Sequence, residues 1–312
     1  AKINQVFIFT RISDARKEEY GIIKNKIDNL TVYSINNTFR HCSSLSEYYD
    51  NDSINRKFEE LLKEVSPDVV HIQHLVFLST GIMKIIEKNN IPIVFTLHDY
   101  WLICPKWHLL KSDWSVCKKA ADSAYDSECF DCLSGIINIS KKTAKFYYLT
   151  KNILPGFLLP GLRKIYFFVS RRFSDKNDHV DMLKERIQKI KSCLRYVNIF
   201  LAPSEYLRKK FIEFGIPAEK IELSRNGLNI SLFARPQDKK SSGKIRFGFI
   251  GTILPGKGLH ILIKAFNQIK NDNLELLIYG ALRFYAGYED YLVNLRKIAK
   301  NKNIKFMGEF DN

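Results

Sequence analysis

The sequence predicts an α/β protein made of two doubly wound halves. Three observations carry this. Short apolar strands alternate with amphipathic helices, which argues for parallel sheets covered on both faces. The alternation breaks at a polar, charged stretch, Arg235 to Lys244. Beyond that stretch the same order begins afresh.

Taken along the chain, Val6-Phe7-Ile8-Phe9 reads as a first strand. Phe58, Leu61, Leu62 and Val65 recur at helical spacing, Pro67 punctuates, and Val69-Val70-His71-Ile72 reads as a buried strand. A helix holding Ile82, Met83, Ile85 and Ile86 precedes a strand at Ile93 to Leu97. Further on, Val197 to Leu201 reads as a strand. Ser204 follows as N-cap of a helix with Leu207, Phe211 and Ile212. Ile221-Glu222-Leu223 leads into an Asn226-Gly227 turn. After the polar stretch come a strand at Ile245 to Ile250, a loop from Gly251 to Gly258 and a helix marked by Leu259, Leu262, Ile263 and Phe266. Leu274 to Tyr279 and Ile304 to Met307 supply two more strands. The expected organisation is a first domain over residues 1–234, with an insert over about 104–192. A linker over 235–244 and the start of a second domain over 245–312 follow. Ala1 in place of an initiator Met, and an end just past a strand, predict truncation at both ends.

Composition narrows the partners. Lys and Arg number 49 against 33 Asp and Glu, for a net charge of +16. Such an excess favours nucleic acid, phosphorylated ligands or an acidic membrane surface; scattered lysines also simply solvate a surface. The uncharged run Asn152 to Leu162 is broken by two prolines and two glycines. It falls short of the roughly 20 apolar residues a span needs. The expected location is the cytoplasm, including the inner face of a membrane.

Three stretches carry candidate chemistry. Gly251-Thr252-Ile253-Leu254-Pro255-Gly256-Lys257-Gly258 joins a strand to a helix start. Glycines there admit a close backbone approach, the helix start offers N–H groups to an anion, and Lys257 adds a full charge. The spacing is neither that of a P-loop nor G-x-G-x-x-G, and a plain structural turn explains it equally well. Thr96-Leu97-His98-Asp99-Tyr100-Trp101 lies at the carboxyl end of an expected parallel strand, where open α/β sheets bind ligands. Ala202-Pro203-Ser204-Glu205 and Arg225-Asn226-Gly227-Leu228-Asn229 read as caps and turns.

In joint order and spacing these pieces, with Pro67-Asp68-Val69-Val70-His71-Ile72, resemble the retaining glycosyltransferases of family 4, enzymes of GT-B fold. The match runs from about Tyr48 to the end, and the subgroup with a cysteine-rich insert is the most similar. The resemblance implies two Rossmann-like domains and a nucleotide-diphosphate sugar donor, UDP- or GDP-linked. It implies a glycan or lipid-linked acceptor, and no metal requirement for the transfer. His98 would face the transferred sugar, Lys257 would hold the donor diphosphate, and Gly251 and Gly258 would let it approach. Asn226 and Gly227 would stand on the hinge side. Thr252 occupies the place where the family has an Arg. The family's paired glutamates, first strand and glycine-rich loop would then be expected outside this chain. The chain alone is therefore expected to be inactive.

Cys104, Cys117, Cys129 and Cys132 form a cluster ending in C-x-x-C. Four thiolates suit a structural zinc, while free thiols or another metal centre remain alternatives. Lys141 to Lys176 holds nine Lys or Arg against Asp175 alone, interleaved with Phe146, Tyr147, Tyr148, Phe157, Tyr166, Phe167 and Phe168. Such a stretch suits an anionic membrane surface, a packed insert helix or, less well, nucleic acid. Three functions compete: a hexosyltransferase, a catalytically inactive sugar-nucleotide binder suggested by Thr252, and a basic nucleic-acid-binding protein. No nucleic-acid motif supports the last, and no nucleic-acid partner is expected.

Overall fold

The computed structural model describes residues 4–42, 44–111, 113–118, 125–133, 176–233, 243–281 and 290–309. They divide into two compact units, Ala1–Leu109 with Cys117–Asn226, and Leu110–Val116 with Gly227–Asn312. The expected linker, apart from Gly243 and Lys244, lies outside the described residues. So does the basic aromatic segment except Lys176.

The first unit carries two sheets. One joins β1 (Phe7–Ile12), β2 (Ile22–Ile27) and β3 (Leu30–Asn36) in the order β1-β3-β2. β1 runs parallel to β3, and β2 and β3 form an antiparallel hairpin. Its two-residue turn, Asp28-Asn29, has φ of 47° and 66°. Positive φ at both central positions is what a turn matching strand twist needs, and Asp and Asn tolerate it. The sequence reading missed β2 and β3; Lys24, Asn25 and Lys26 are exposed, so no apolar run marks β2.

The other sheet is parallel, in the order β4-β5-β6-β7, from β4 (Val70–Ile72), β5 (Ile93–Thr96), β6 (Ile199–Ala202) and β7 (Ile221–Leu223). α1 (Asp52–Val65) leads into β4, and the crossovers include α2 (Ile82–Lys88), α3 (Ser127–Leu133), α4 (Lys176–Leu194) and α5 (Glu205–Phe214). Asn51 caps α1 by accepting from the backbone of Ser53 and Ile54. Ser204 caps α5 by accepting from Leu207, and Gly215 ends that helix at φ 110°. Phe58, Leu62, Ile86, Phe95, Phe200 and Phe211 lie in the continuous core of this sheet and its helices. Burying each such side chain contributes on the order of 1.5–3 kcal/mol.

The second unit has a parallel sheet in the order β10-β9-β8, from β8 (Ile245–Ile250), β9 (Leu274–Tyr279) and β10 (Ile304–Gly308). α6 (Leu259–Phe266) and α7 (Tyr291–Ile298) cross between the strands. Leu259, Ile263, Leu276, Ile278, Tyr291 and Leu295 form its core. The short turn Leu110–Val116, closed by a bridge between those two residues, also belongs here: Trp114 packs edge-on to Tyr291, ring centroids 4.9 Å apart. The expected α/β class and parallel sheets are what the structure has. Among the described residues no helix is long and apolar enough to cross a membrane.

Candidate functional site

One candidate site, in the first unit, lies at the carboxyl ends of β4 and β5. These strands are parallel neighbours with Val70 opposite Ile93 and Ile72 opposite Phe95. The residues leaving them, Gln73-His74 and His98-Asp99, therefore emerge side by side. They line a small cavity together with Trp101 and Leu102.

Each polar group there has a definite partner. His98 is exposed and donates from Nε2 to Gln73 Oε1 at 2.7 Å. His74 Nδ1 accepts from the backbone of Val76 at 2.9 Å, so its proton sits on Nε2, which contacts Asp99 Oδ2 at 2.8 Å. The other oxygen of Asp99 accepts from the backbone of Trp101 at 2.8 Å. Asp99 is thus spent on holding two loops together. His71, on β4, places Nε2 2.8 Å from Thr96 Oγ1. Burial, aided by the neighbouring His98, pushes its pKa down, so its ring is neutral near pH 7.

The loop after β5 is pinned from below by α4. Arg186 is buried, donates to the backbone carbonyls of Trp101 and Leu102, and lies 5.0 Å from the Trp101 ring centroid. Burial lowers its pKa, yet it remains a cation beneath the loop. Tyr125 adds a hydrogen bond from its hydroxyl to the carbonyl of Ile103. Neither anchor was singled out in the sequence, because each acts across more than 20 positions.

A separate candidate site, in the second unit, lies at the carboxyl end of β8. Gly251 has φ of 155° and donates to the Tyr279 carbonyl at 3.1 Å. The loop after β8 runs beside the loop after β9, with Ile253 N–H bonded to the Ala281 carbonyl at 3.0 Å. Pro255–Lys257 forms a 3-10 turn, and Gly258, at φ 71°, turns the chain into α6. Lys257 is exposed, and among the described residues no ion pair engages it. The N–H of His260, in the first turn of α6, goes to the Tyr291 hydroxyl at 3.2 Å.

Asn226 and Gly227 are exposed, and the division between the two units falls between them. The structure thus brings His98 together with Gln73, His71, His74 and Asp99 in the first unit. Gly251, Lys257 and Gly258 come together in the second.

Cys104, Cys117 and Cys129 pack against the first unit's core, and Cys132 accepts from Lys106 Nζ at 3.4 Å. Cys104 senses Cys117, Cys132 and Arg186, and burial pushes its thiol up to about 12. Burial also raises Cys129, which senses Cys117 and Cys132. The four expected cysteines therefore share one neighbourhood. Among the described residues, however, no three His, Cys, Asp or Glu side chains converge at metal-holding distance.

Residues 4–147 match the family model described as Glycosyltransferase Family 4, and residues 232–311 match that described as Glycosyl transferases group 1. Comparison with curated proteins finds no match. Among solved structures, the chain is similar to Anabaena Alr3699/HepE in complex with UDP and glucose, at 15% identity and a TM-score of 0.45. That match covers 90% of this chain and 56% of the other, so the chain spans little more than half of its length. Similarity extends along 100% of the chain in two further cases. One is described as trehalose-6-phosphate from E. coli bound with UDP-2-fluoro glucose, at 11% identity, a TM-score of 0.56 and 69% of that chain. The other is an alpha,alpha-trehalose-phosphate synthase (UDP-forming) from Burkholderia xenovorans in complex with glucose-6-phosphate. It shows 9% identity, a TM-score of 0.55 and 70% of that chain covered. Identities this low speak for the fold alone. The two family matches, over separate parts of a chain with parallel-sheet units, and these likenesses support the GT-B fold.

Proposed function

We propose that the protein containing this chain transfers a hexose, with retention, from a nucleotide-diphosphate sugar to a cell-surface glycan or its lipid-linked precursor. The observation that carries the reading is the turn from Gly251 to Gly258. It combines positive-φ glycines, the start of an eight-residue helix and an exposed Lys257 at the carboxyl end of a parallel strand. A diphosphate departing there meets a fixed cation and a helix dipole, which stabilise the charge that develops as the sugar leaves. No metal is needed for that role. The donor class, UDP- or GDP-linked, is what the resemblance to family 4 implies; UDP-2-fluoro glucose is what the E. coli structure of similar fold is described as holding. His98 serves the transferred sugar in this reading, and Asn226 and Gly227 belong to the donor-binding residues.

The test is transfer by the full-length protein from labelled UDP- and GDP-hexoses, with the anomeric configuration of the product read by NMR. Retention, together with a loss of at least about tenfold (~1.4 kcal/mol in the barrier) in His98→Ala at unchanged thermal stability, is expected. Inversion, or full turnover in His98→Ala, would refute the assignment. Half-buried Thr252, where an Arg cation is expected, favours a second reading as an inactive sugar-nucleotide binder. Donor binding without transfer to any acceptor would select it.

Two attachments accompany the reading. A structural zinc held by Cys104, Cys117, Cys129 and Cys132 would carry negative charge from its four thiolates. The cation of Lys106 at Cys132, and that of Arg186 sensed by Cys104, suit such a centre. The sulfurs would have to close on the metal by side-chain rotation. Elemental analysis of protein purified without added metal decides between one zinc per chain and four titratable thiols. The basic aromatic residues of 141–176 would bring the protein to an anionic bilayer, where a lipid-linked acceptor lies. At about 1 kcal/mol per basic residue near the surface, binding should be reversible and salt-sensitive. Co-sedimentation with anionic and neutral vesicles at two salt concentrations checks this.

A further inference from the structure

We infer that Gln73 is the positioning residue of the His98 site, fixing which ring nitrogen of His98 carries the proton. The inference rests on the assignment of His98 to the transferred sugar for its catalytic meaning, but its geometry stands apart from that assignment.

Gln73 lies between two imidazoles. Its Oε1 is 2.7 Å from His98 Nε2, and its Nε2 is 3.0 Å from His71 Nε2 and 3.3 Å from His71 Nδ1. An amide oxygen only accepts and an amide nitrogen only donates. The Oε1 contact therefore requires a hydrogen on His98 Nε2. In the neutral ring this leaves Nδ1 bare, as an acceptor. The other end of the amide lies against the His71 ring, near both of its nitrogens, where a neutral ring suits a donor. That condition is met: burial and the neighbouring His98 both lower the pKa of His71, and Thr96 Oγ1, 2.8 Å from His71 Nε2, holds the ring in place.

The four side chains lie in one line of contacts. Thr96 holds His71, neutral His71 lies against the amide nitrogen of Gln73, and the amide oxygen faces His98. Reversing the amide would set its NH₂ at His98 Nε2 and require the Nδ1–H tautomer there, with Nε2 as acceptor. The arrangement costs little, because Gln73 sits one residue beyond β4 and His98 two beyond the adjacent parallel β5. His74 has no part in it, since both its ring nitrogens are engaged by Val76 and Asp99. The consequence is a site whose exposed imidazole offers a bare Nδ1, able to accept from a sugar hydroxyl, rather than a mixture of tautomers.

Long-range ¹H–¹⁵N correlation of the histidine rings in the full chain reads this directly, at a pH where the rings are neutral. His98→Ala identifies the His98 signals. Expected are a single Nε2–H tautomer at His98 in the wild type, averaged ring shifts in Gln73→Leu, and restoration of the single tautomer in Gln73→Glu, whose carboxylate again accepts. No substrate is needed, so the result is independent of whether the protein transfers hexose. Ring shifts at His98 that do not move in Gln73→Leu, or an Nδ1–H tautomer in the wild type, would overturn the inference. In transfer assays of the full-length protein, Gln73→Leu should lower kcat about tenfold, equivalent to ~1.4 kcal/mol, at an unchanged KM for the donor. A shifted tautomer with unchanged kcat would remove the positioning role.

Discussion

A Cβ placed on Gly280 would stand 1.9 Å from the carbonyl oxygen of Gly251. The two glycines follow β8 and β9 directly, at φ of 155° and 150°, and their backbones touch where any side chain would intrude. This contact sets the course of the loop that carries Lys257, although Gly280 lies 23 positions from Lys257 and belongs to no glycine-rich stretch.

Gly280→Ala should therefore destabilise the second unit severely, by about 3 kcal/mol or more, because the clash is with backbone and cannot be relieved by a rotamer. Gly308→Ala is the control. Its φ is 85°, but nothing lies within 4 Å of the added atom, so only the backbone strain of roughly 1–2 kcal/mol applies. Urea unfolding of both variants tests the contrast; equal losses would refute the steric account.

Lys257→Ala should weaken binding of a nucleoside diphosphate about 10- to 100-fold, the loss of one hydrogen bond from a charged donor at about 1.5–3 kcal/mol. Lys257 is exposed, so folding should be untouched. Calorimetry with UDP, GDP and ADP on the full-length protein measures it. Equal affinities in both proteins would remove Lys257 from the site.

Arg186→Met should loosen the loop after β5. The carbonyls of Trp101 and Leu102 lose their donor, while burying a charge no longer has to be offset. The net expectation is a loss of about 1–3 kcal/mol in unfolding free energy, with altered Trp101 fluorescence before global unfolding. An unchanged denaturation midpoint would show that the pin contributes nothing.

Glu275 should confer acid sensitivity on the second unit. Hydrogen bonds from Lys305, Lys244 and Arg246, at 2.7, 3.2 and 3.3 Å, hold its pKa down to about 2 from an ordinary 4.5. A depressed carboxylate pKa means stability that is complete above about pH 4.5 and lost as pH falls toward 2. The wild type should therefore lose more stability than Glu275→Gln over that window. Denaturant midpoints measured at several pH values decide it, and parallel curves for the two proteins would contradict the assignment.

The sequence made the strands legible wherever burial on both faces left an apolar run, as at Ile93 to Leu97 and Leu274 to Tyr279. It made Ser204 legible as a cap, because that signal is local. β2 was hidden because its outer residues, Lys24, Asn25 and Lys26, face solvent. Within the candidate site, His98 and Lys257 stood out by residue type at a strand end and a helix start. Gln73, Arg186 and Gly280 did not, since each matters through a partner brought near only by strand pairing or helix packing. Gln73 meets His98 across 25 positions, and Arg186 meets Trp101 across 85. Two signals were available: a polar pair directly after β4, and a glycine directly after β9.

The placement of Leu110–Val116 bears on how this architecture can be inherited. Trp114, encoded in the first half of the chain, packs on Tyr291 and on His260, with ring centroids 4.9 and 5.2 Å apart, in the second unit. A gene fusion with one crossover at the Asn226–Gly227 border would exchange β8, β9 and β10 but leave this indole behind. Its replacement would then face an unfamiliar helix pair. Recombination that trades second units between relatives is therefore constrained to bring the seven-residue turn along, or to co-adapt positions 114, 260 and 291.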